Sequence, residues 1–359
     1  MAYTTIKKPS DYFNTKLYTG NNSTNIISGV GFQPDWFWIK DRSTTGEKHH
    51  LFDAVRGLNK ALYSNQTTAE TTGFDGGGQN NITAVGNDGF TITGNGSDGE
   101  GNLTGRNYAS WNWKANGAGV ANTDGDIAST VSANTTSGFS IVSYTGNGSA
   151  GATVGHGLGT IPAMVIQKRR SGSIASWVTW HQSIHSTSGN SGAVFLNLTN
   201  ANATGNSDAI AGVSSTLITT AGTGAVNPSG DTCIMYCFAE KQGFSKFGSY
   251  TGNGSTDGTF VYTGFKPAFV IYKGASGTGT TDNWEMADNK RSPYNGIENV
   301  LYPNENYAEG TGVTTRMDFL SNGFKMRTSG SDYNASGSTY IYMAFAEQPL
   351  VGDNPATAR

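Results

Sequence analysis

Histidine is the side chain best suited to hold a metal or move a proton near neutral pH. The chain has five: His49, His50, His156, His181 and His185. His181 and His185 have the i, i+4 spacing of a zinc-binding helix, but no glutamate follows His181. On a strand, two rings at that spacing lie too far apart to share one ion. A structural role is therefore expected for the histidines, with no metal.

Carboxylates come next, because glycan hydrolysis needs two converging on one bond. Asp53, Asp75, Asp88, Asp98, Glu100, Asp282, Glu285, Asp288, Glu298 and Asp318 are available. Most stand in Asn/Gly turns, where short acidic side chains hold backbone amides. Asp53 with Arg56 and Asp288 with Arg291 read as one repeated structural ion pair. The loop Asn95–Asn102 is rich in oxygen ligands but lacks EF-hand spacing, so a plain turn is expected. Gly155–Gly159 does not open a helix after a strand, which argues against a phosphate cradle. No serine has the strand-to-helix elbow of a hydrolase nucleophile. The expectation is a protein that is not an enzyme and takes no cofactor.

Cys233 and Cys237 fall four apart in a strand-like stretch. At about 3.3 Å per residue their Cα atoms would be roughly 13 Å apart, too far for a disulfide. Two buried free thiols are expected.

Binding is the softer chemistry. Aromatic rings stack on sugars, and polar loops at one end of a β-sandwich supply hydrogen bonds. Candidate receptor or glycan contacts are Arg169, Arg170, Trp177, Trp180 and His181 in the middle of the chain, and Trp284, Asn289, Lys290, Arg291 and Tyr294 further on. For Trp177, Trp180 and Trp284 a second reading stands beside this one, since period-two burial would place them in a core.

These residues belong to a repeat. Tyr18-Thr19-Gly20-Asn21, Tyr144-Thr145-Gly146-Asn147 and Tyr250-Thr251-Gly252-Asn253 are copies of one phrase. Each is followed by a proline-led apolar run beginning at Pro34, Pro162 or Pro267, with lysine six residues later at Lys40, Lys168 and Lys273. Each unit closes on an aromatic strand ending at Trp113, Phe238 or Phe345, which lie 95, 94 and 95 residues after the opening tyrosine. The proline-led runs are apolar at both parities, which predicts strands buried on both faces. The closing strands alternate large apolar groups, with Trp111 and Trp113 matching Tyr236 and Phe238, then Met343 and Phe345. Asn87–Phe90 and Ser321–Phe324 carry hairpin-turn chemistry, for which the second unit has no clear counterpart.

Units of this length with six to eight short strands predict an all-β fold of three tandem β-sandwiches, jelly-roll-like in type. The boundaries are an anchoring segment 1–14, unit one 15–117, a linker 118–137, unit two 138–243, unit three 244–349 and a tail 350–359. The linker is rich in Ala, Ser, Thr, Asn and Gly, so a bend or hinge is expected there. A stiffer junction is expected at Glu240–Gly243.

Composition narrows the class. Glycine numbers 50 of 359 residues, charged residues are 14% and the net charge is −3. With 40 aromatic residues (17 Phe, 16 Tyr, 7 Trp) the chain is not a disordered tail. The near-neutral charge argues against nucleic-acid binding. No apolar run reaches the 18 or so residues of a membrane helix, and the start of the sequence shows no apolar signal region.

The stretch Tyr3–Asn21 resembles the N-terminus of virion-associated proteins of marine tailed phages. So do Trp111–Gly117, Val154–Gly159, and the paired Phe238-Ala239-Glu240 and Phe345-Ala346-Glu347. The resemblance covers essentially the whole chain. It implies a virion structural protein made in the bacterial host cytoplasm: a tail fibre or host-recognition component, or alternatively a capsid-bound decoration or head fibre. A polysaccharide depolymerase is a third reading. The implied partners are other virion proteins and a host surface glycan or receptor, in a homo-oligomer that could be trimeric. Thr5, Ile6, Lys7, Lys8, Pro9, Tyr12 and Phe13 are the expected virion-docking residues, with host contact at unit three.

Overall fold

The computed structural model describes residues 3–74, 80–94, 100–185, 193–202, 209–222, 224–277, 282–310, 315–351 and 355–357. The fold is all-β, and the three units repeat one strand arrangement. An inner sheet runs in the order opening strand, closing strand, proline-led strand, fourth strand. In unit one these are Phe13–Thr19, Asn107–Trp113, Trp36–Asp41 and His49–Asp53. In unit two they are Phe139–Thr145, Thr232–Phe238, Met164–Arg169 and Val178–His181. In unit three they are Ser245–Thr251, Thr339–Pro349, Phe265–Ser276 and Glu285–Asp288. A three-stranded outer sheet packs on each: Asn25–Ser28, Gly89–Thr93 and Asn81–Gly86 in unit one. Thr153–Gly155, Leu217–Thr220 and Ile210–Val213 form it in unit two, and Phe260–Tyr262, Gly323–Met326 and Met317–Leu320 in unit three. Unit two thus completes its outer sheet without an Asn-Gly turn, closing the hairpin with Ser214, whose N–H donates to Leu217 O.

Strand alternation sorts the apolar side chains into two kinds of core. Phe37 and Ile39 face the outer sheet of unit one, as Val165 does in unit two and Val270 and Tyr272 in unit three. Trp36, Trp38, Trp111, Trp113, Met164, Ile166, Tyr236, Phe238, Phe269, Ile271, Met343 and Phe345 face the other way, into one cluster shared by all three units. The proline-led strands are therefore buried on both faces, as their sequence requires. Trp36 stacks on Tyr236, with ring centroids 4.4 Å apart, and Trp113 meets Phe345 at 5.8 Å. The units close around this shared core with approximate threefold symmetry. Three tandem sandwiches strung in a row would leave the second apolar face of every inner sheet in water; closure buries all three faces at once.

The stretch 118–137 is not a linker. Val120–Asn122 and Ser129–Asn134 form a hairpin that extends the inner sheet of unit two beside Phe139–Thr145. Ile127 and Val131 enter that unit's own core. The stretch thus packs as part of unit two.

The N-terminal segment is not a free anchor either. Thr5, Lys7 and Lys8 are exposed, but Ile6, Pro9 and Phe13 are buried and Tyr12 is half-buried. Phe13 stacks on Phe345, with centroids 4.9 Å apart, and meets Trp113 at 4.9 Å. Tyr12 packs edge-on against Phe244, and Tyr3 donates its hydroxyl to Gly264 O at 2.7 Å. The segment ties unit one to unit three.

The repeated Tyr-Thr-Gly-Asn phrase is a clasp. In each copy the tyrosine hydroxyl donates to a backbone carbonyl: Gly101 at 2.7 Å, Val226 at 2.5 Å and Tyr333 at 2.7 Å. The residue after each carbonyl is an asparagine, Asn102, Asn227 or Asn334, whose Oδ1 accepts from the N–H of Asn21, Asn147 or Asn253. The glycine is obligatory, because a Cβ at Gly20, Gly146 or Gly252 would stand 2.1, 2.1 or 2.2 Å from a carbonyl oxygen. The repeated phrase is one half of the clasp, and the asparagine about 80 residues downstream is the other.

Candidate functional site

Symmetry brings equivalent residues to three seams between units. Trp177 and Trp284 occupy matching places, each with its N–H held by an asparagine Oδ1 at 2.8 Å. Their indole N–H groups cross the seams to Tyr63 O at 2.8 Å and Phe195 O at 2.9 Å. His49 takes the corresponding place in unit one, beside the Tyr302 carbonyl. All three side chains are buried. Lys168 Nζ reaches Thr67 O at 3.0 Å and Lys273 Nζ reaches Thr199 O at 2.9 Å, each across a seam, while Lys40 Nζ caps Asp41 O. Burial pulls all three lysines down to about 8.

Two seams carry a buried charge network. Between units one and two, Arg56 Nε donates to Asp53 Oδ2 at 2.5 Å and Nη1 to Glu70 Oε2 at 3.0 Å. The Tyr236 hydroxyl donates to Asp53 Oδ2 at 2.8 Å, and Arg170 Nε donates to Glu70 Oε2 at 2.8 Å. Between units three and one the same roles fall to Arg291, Asp288 and Glu309, with Trp111 Nε1 donating to Asp288 Oδ2 at 3.0 Å and Arg42 clamping Glu309. Burial opposes the charge on Arg56, but Asp53, Tyr236 and Glu70 outweigh it and raise its pKa. Glu70 is likewise penalised by burial, and Arg170 and Arg56 hold it below the ordinary carboxylate range.

The third seam, between units two and three, replaces every member of this set. His181 stands for the aspartate, Ile184 for the arginine, Asn202 for the glutamate, Ala275 for the outer arginine and Met343 for the hydrogen-bonding aromatic. His181 Nε2 lies 3.1 Å from Tyr342 O, and His185 Nε2 lies 2.9 Å from Asn202 Oδ1. Burial lowers His181 to about 4 and also lowers His185, so this seam is neutral where the others are ionic. The exchange is concerted because a lone survivor of the ionic set would be a buried unpaired charge. A second pair reverses polarity between units, with Asp41–Arg106 in unit one becoming Arg169–Asp231 in unit two.

Most of the expected receptor contacts are therefore structural. Trp177, Trp284, His181 and Arg291 lie in seams, Trp180 lies in the core of unit two, and Asn289 is buried. Arg170 is clamped to Glu70 and Arg169 to Asp231. Lys290 and Tyr294 remain exposed, Tyr294 at 79%. The Asp–Arg pairs are structural as expected, and both cysteines are free, buried thiols that burial pushes up to about 11 and about 12. Asp75, Asp98 and most of the Asn95–Asn102 loop lie outside the described residues. Among the described residues no three potential metal ligands cluster, and no helix is long and apolar enough to cross a membrane.

Unit three contains the most perturbed acids. Glu285 is buried and accepts from the Tyr272 hydroxyl, beside Tyr333 and with Arg316 Nε 3.7 Å away. Burial raises it to about 7. Asp282 is raised to about 6 by burial and by Asp332. The equivalent of Glu285 is His50 in unit one, paired with Glu100 at 2.8 Å, and the apolar Val178 in unit two. Glu285 is 1% exposed. A folded-state pKa raised from 4.5 to about 7 costs stability as pH climbs through that window. Glu285→Gln is thus expected to raise unfolding free energy by up to about 3 kcal/mol at pH 8, with the gain vanishing below pH 4.5. Denaturant titrations at both pH values check this; a pH-independent difference would contradict it.

A family profile described as a domain of unknown function (DUF7483) matches residues 8–349, one continuous span over all three units. No curated protein and no solved structure matches the chain.

Proposed function

We propose, on the premise that the chain belongs to the DUF7483 family of unknown function, that it is a bacteriophage virion structural protein serving as a tail-fibre or host-recognition component. The observation that carries this reading is the closure of three sandwiches around one aromatic core. A body so built is rigid, and it presents three related faces, which suits repeated contact with a partner or a surface. The phrases similar to those of marine phage virion proteins support the same reading. The polar, weakly charged surface suits assemblies in salt water, where exposed ion pairs are screened. Its partners would be other virion proteins and a host surface glycan or receptor, with Lys290 and Tyr294 the exposed candidates for contact.

A second reading, a capsid-bound decoration or head-fibre protein, is favoured by the compact closed body, which is not a rod. Gold-labelled antibody on purified particles separates the two. Label at the tail, with antibody blocking adsorption to the host, is the expected result. Label over the shell would transfer the assignment to the capsid, and particles free of label would overturn both.

A further inference from the structure

The hairpin of unit two covers two sheet edges whose counterparts in unit one carry no paired strand among the described residues. Its strand Ser129–Asn134 pairs with the opening strand Phe139–Thr145 of the inner sheet. The preceding residues zip onto the outer sheet, where Ile127 bridges Val154 in parallel. Ile127 N–H donates to Thr153 O at 3.0 Å. Asp126 Oδ2 accepts from Thr153 N–H at 3.0 Å and from its hydroxyl at 2.8 Å. Gly125 permits the approach, since a Cβ there would sit 2.5 Å from Thr153 O.

Register transfers this geometry to unit one. Val154 pairs with Ile218 as Ile27 pairs with Phe90, and both Val154 and Ile27 are buried. Ile26 therefore stands where Thr153 stands, with its outward backbone groups on the open edge. It is 74% exposed. Among the described residues no strand pairs on the outer side of Asn25–Ser28 or of Phe13–Thr19, and Asn25 Nδ2 links the two by donating to Thr19 O at 3.0 Å. A cleft of about 300 Å³ runs along the Phe13–Thr19 edge, lined by Asn14, Thr15, Lys16, Leu17 and Gly29 and by Lys290 of unit three. Natural sheets blunt such edges with charge or proline; here Lys16 stands on the inner-sheet edge, its Nζ near Gly29, while the outer-sheet edge offers the exposed Ile26. In unit three the matching edge is partly attended by the N-terminal segment, through Tyr3 at Gly264 and Tyr262.

We propose that the open side of unit one, formed by Phe13–Thr19 and Asn25–Ser28, docks an extended β-segment of a partner polypeptide, paired as residues 120–134 pair on unit two. The occupant's chemistry follows from that template: an acidic side chain to take the Ile26 N–H, then an aliphatic residue to enter the cleft, then a polar alternating strand along Phe13–Thr19. This inference does not rest on the virion assignment.

The test adds a synthetic peptide of residues 119–135 to the full-length protein and reads hydrogen exchange and affinity. Saturable binding that slows exchange of the Ile26 amide is expected, together with at least tenfold weaker binding to the Ile26→Glu variant, whose carboxylate repels the acidic side chain, and by a peptide with alanine in place of Asp126. Ile26 is exposed, so the glutamate variant should melt as the parent does. Protection confined to Thr153, meaning exchange with the resident hairpin, would overturn the proposal. So would the absence of binding at millimolar peptide, or edge-to-edge dimerisation of the chain that Ile26→Glu abolishes without any peptide effect.

Discussion

Arg56→Met is expected to lower unfolding free energy by about 3–5 kcal/mol, the usual cost of removing one partner from a buried ion network. The substitution leaves Asp53 with only the Tyr236 hydroxyl and backbone amides, and deprives Glu70 of one of its two guanidinium partners. The third seam supplies the internal control. Installing its residues together, as Asp53→His, Arg56→Ile, Glu70→Asn, Arg170→Ala and Tyr236→Met, removes every charge at once and should cost under about 2 kcal/mol, because a fully apolar or neutral replacement leaves no orphan behind. Guanidinium titrations of the parent, single and fivefold variants provide the comparison. A single variant within 0.5 kcal/mol of the parent, or a fivefold variant worse than the single one, would falsify the view that the seams are alternative solutions of one packing problem.

Phe13→Ala is expected to cost about 3–5 kcal/mol, the range for emptying a buried aromatic site, and to do so in one transition spanning all three units. Phe13 touches Trp113 of unit one and Phe269 and Phe345 of unit three, so the cavity opens in the core the units share. Removing residues 2–13 should have a larger effect of the same kind, because Ile6 goes as well. Calorimetry checks both. Three separable transitions, or a truncated protein that melts like the parent, would show that the units are stable alone. The deletion therefore cannot serve as a clean probe of docking: it damages the body before it removes an anchor.

The local facts were legible in the sequence. Equal spacing from Tyr18 to Trp113 and its two copies counted the units, and apolar residues at both parities of Trp36–Ile39 required a strand covered on both faces. What covers the second face was not legible, because periodicity reports that a residue is buried and not by what. The same limit explains the misplaced contact residues. In sequence Trp177 and Trp284 admit both a contact and a core reading, and the structure buries them together with His181 and Arg291. Trp177 matches Trp284 and Arg291 matches Arg56, while His181 departs from Asp53 and Asp288 because its seam joins a different pair of units and faces a different wall. The 118–137 stretch misled through composition: small polar residues suggest a linker, yet Ile127 and Val131 sit where a strand needs its apolar side. The Asn102, Asn227 and Asn334 half of the clasp carried a usable signal in its constant separation from the opening phrase.

The hairpin, the seams and the shared core together make three subunits' worth of protein from a single polypeptide. An assembly of separate copies falls apart when diluted, and every copy must carry the same surface. Here the joining is covalent, so no dilution dissolves the trio. Each third is free to acquire its own outward chemistry, and the open flank of unit one beside the covered flank of unit two is an asymmetry that a trimer of identical chains could not encode.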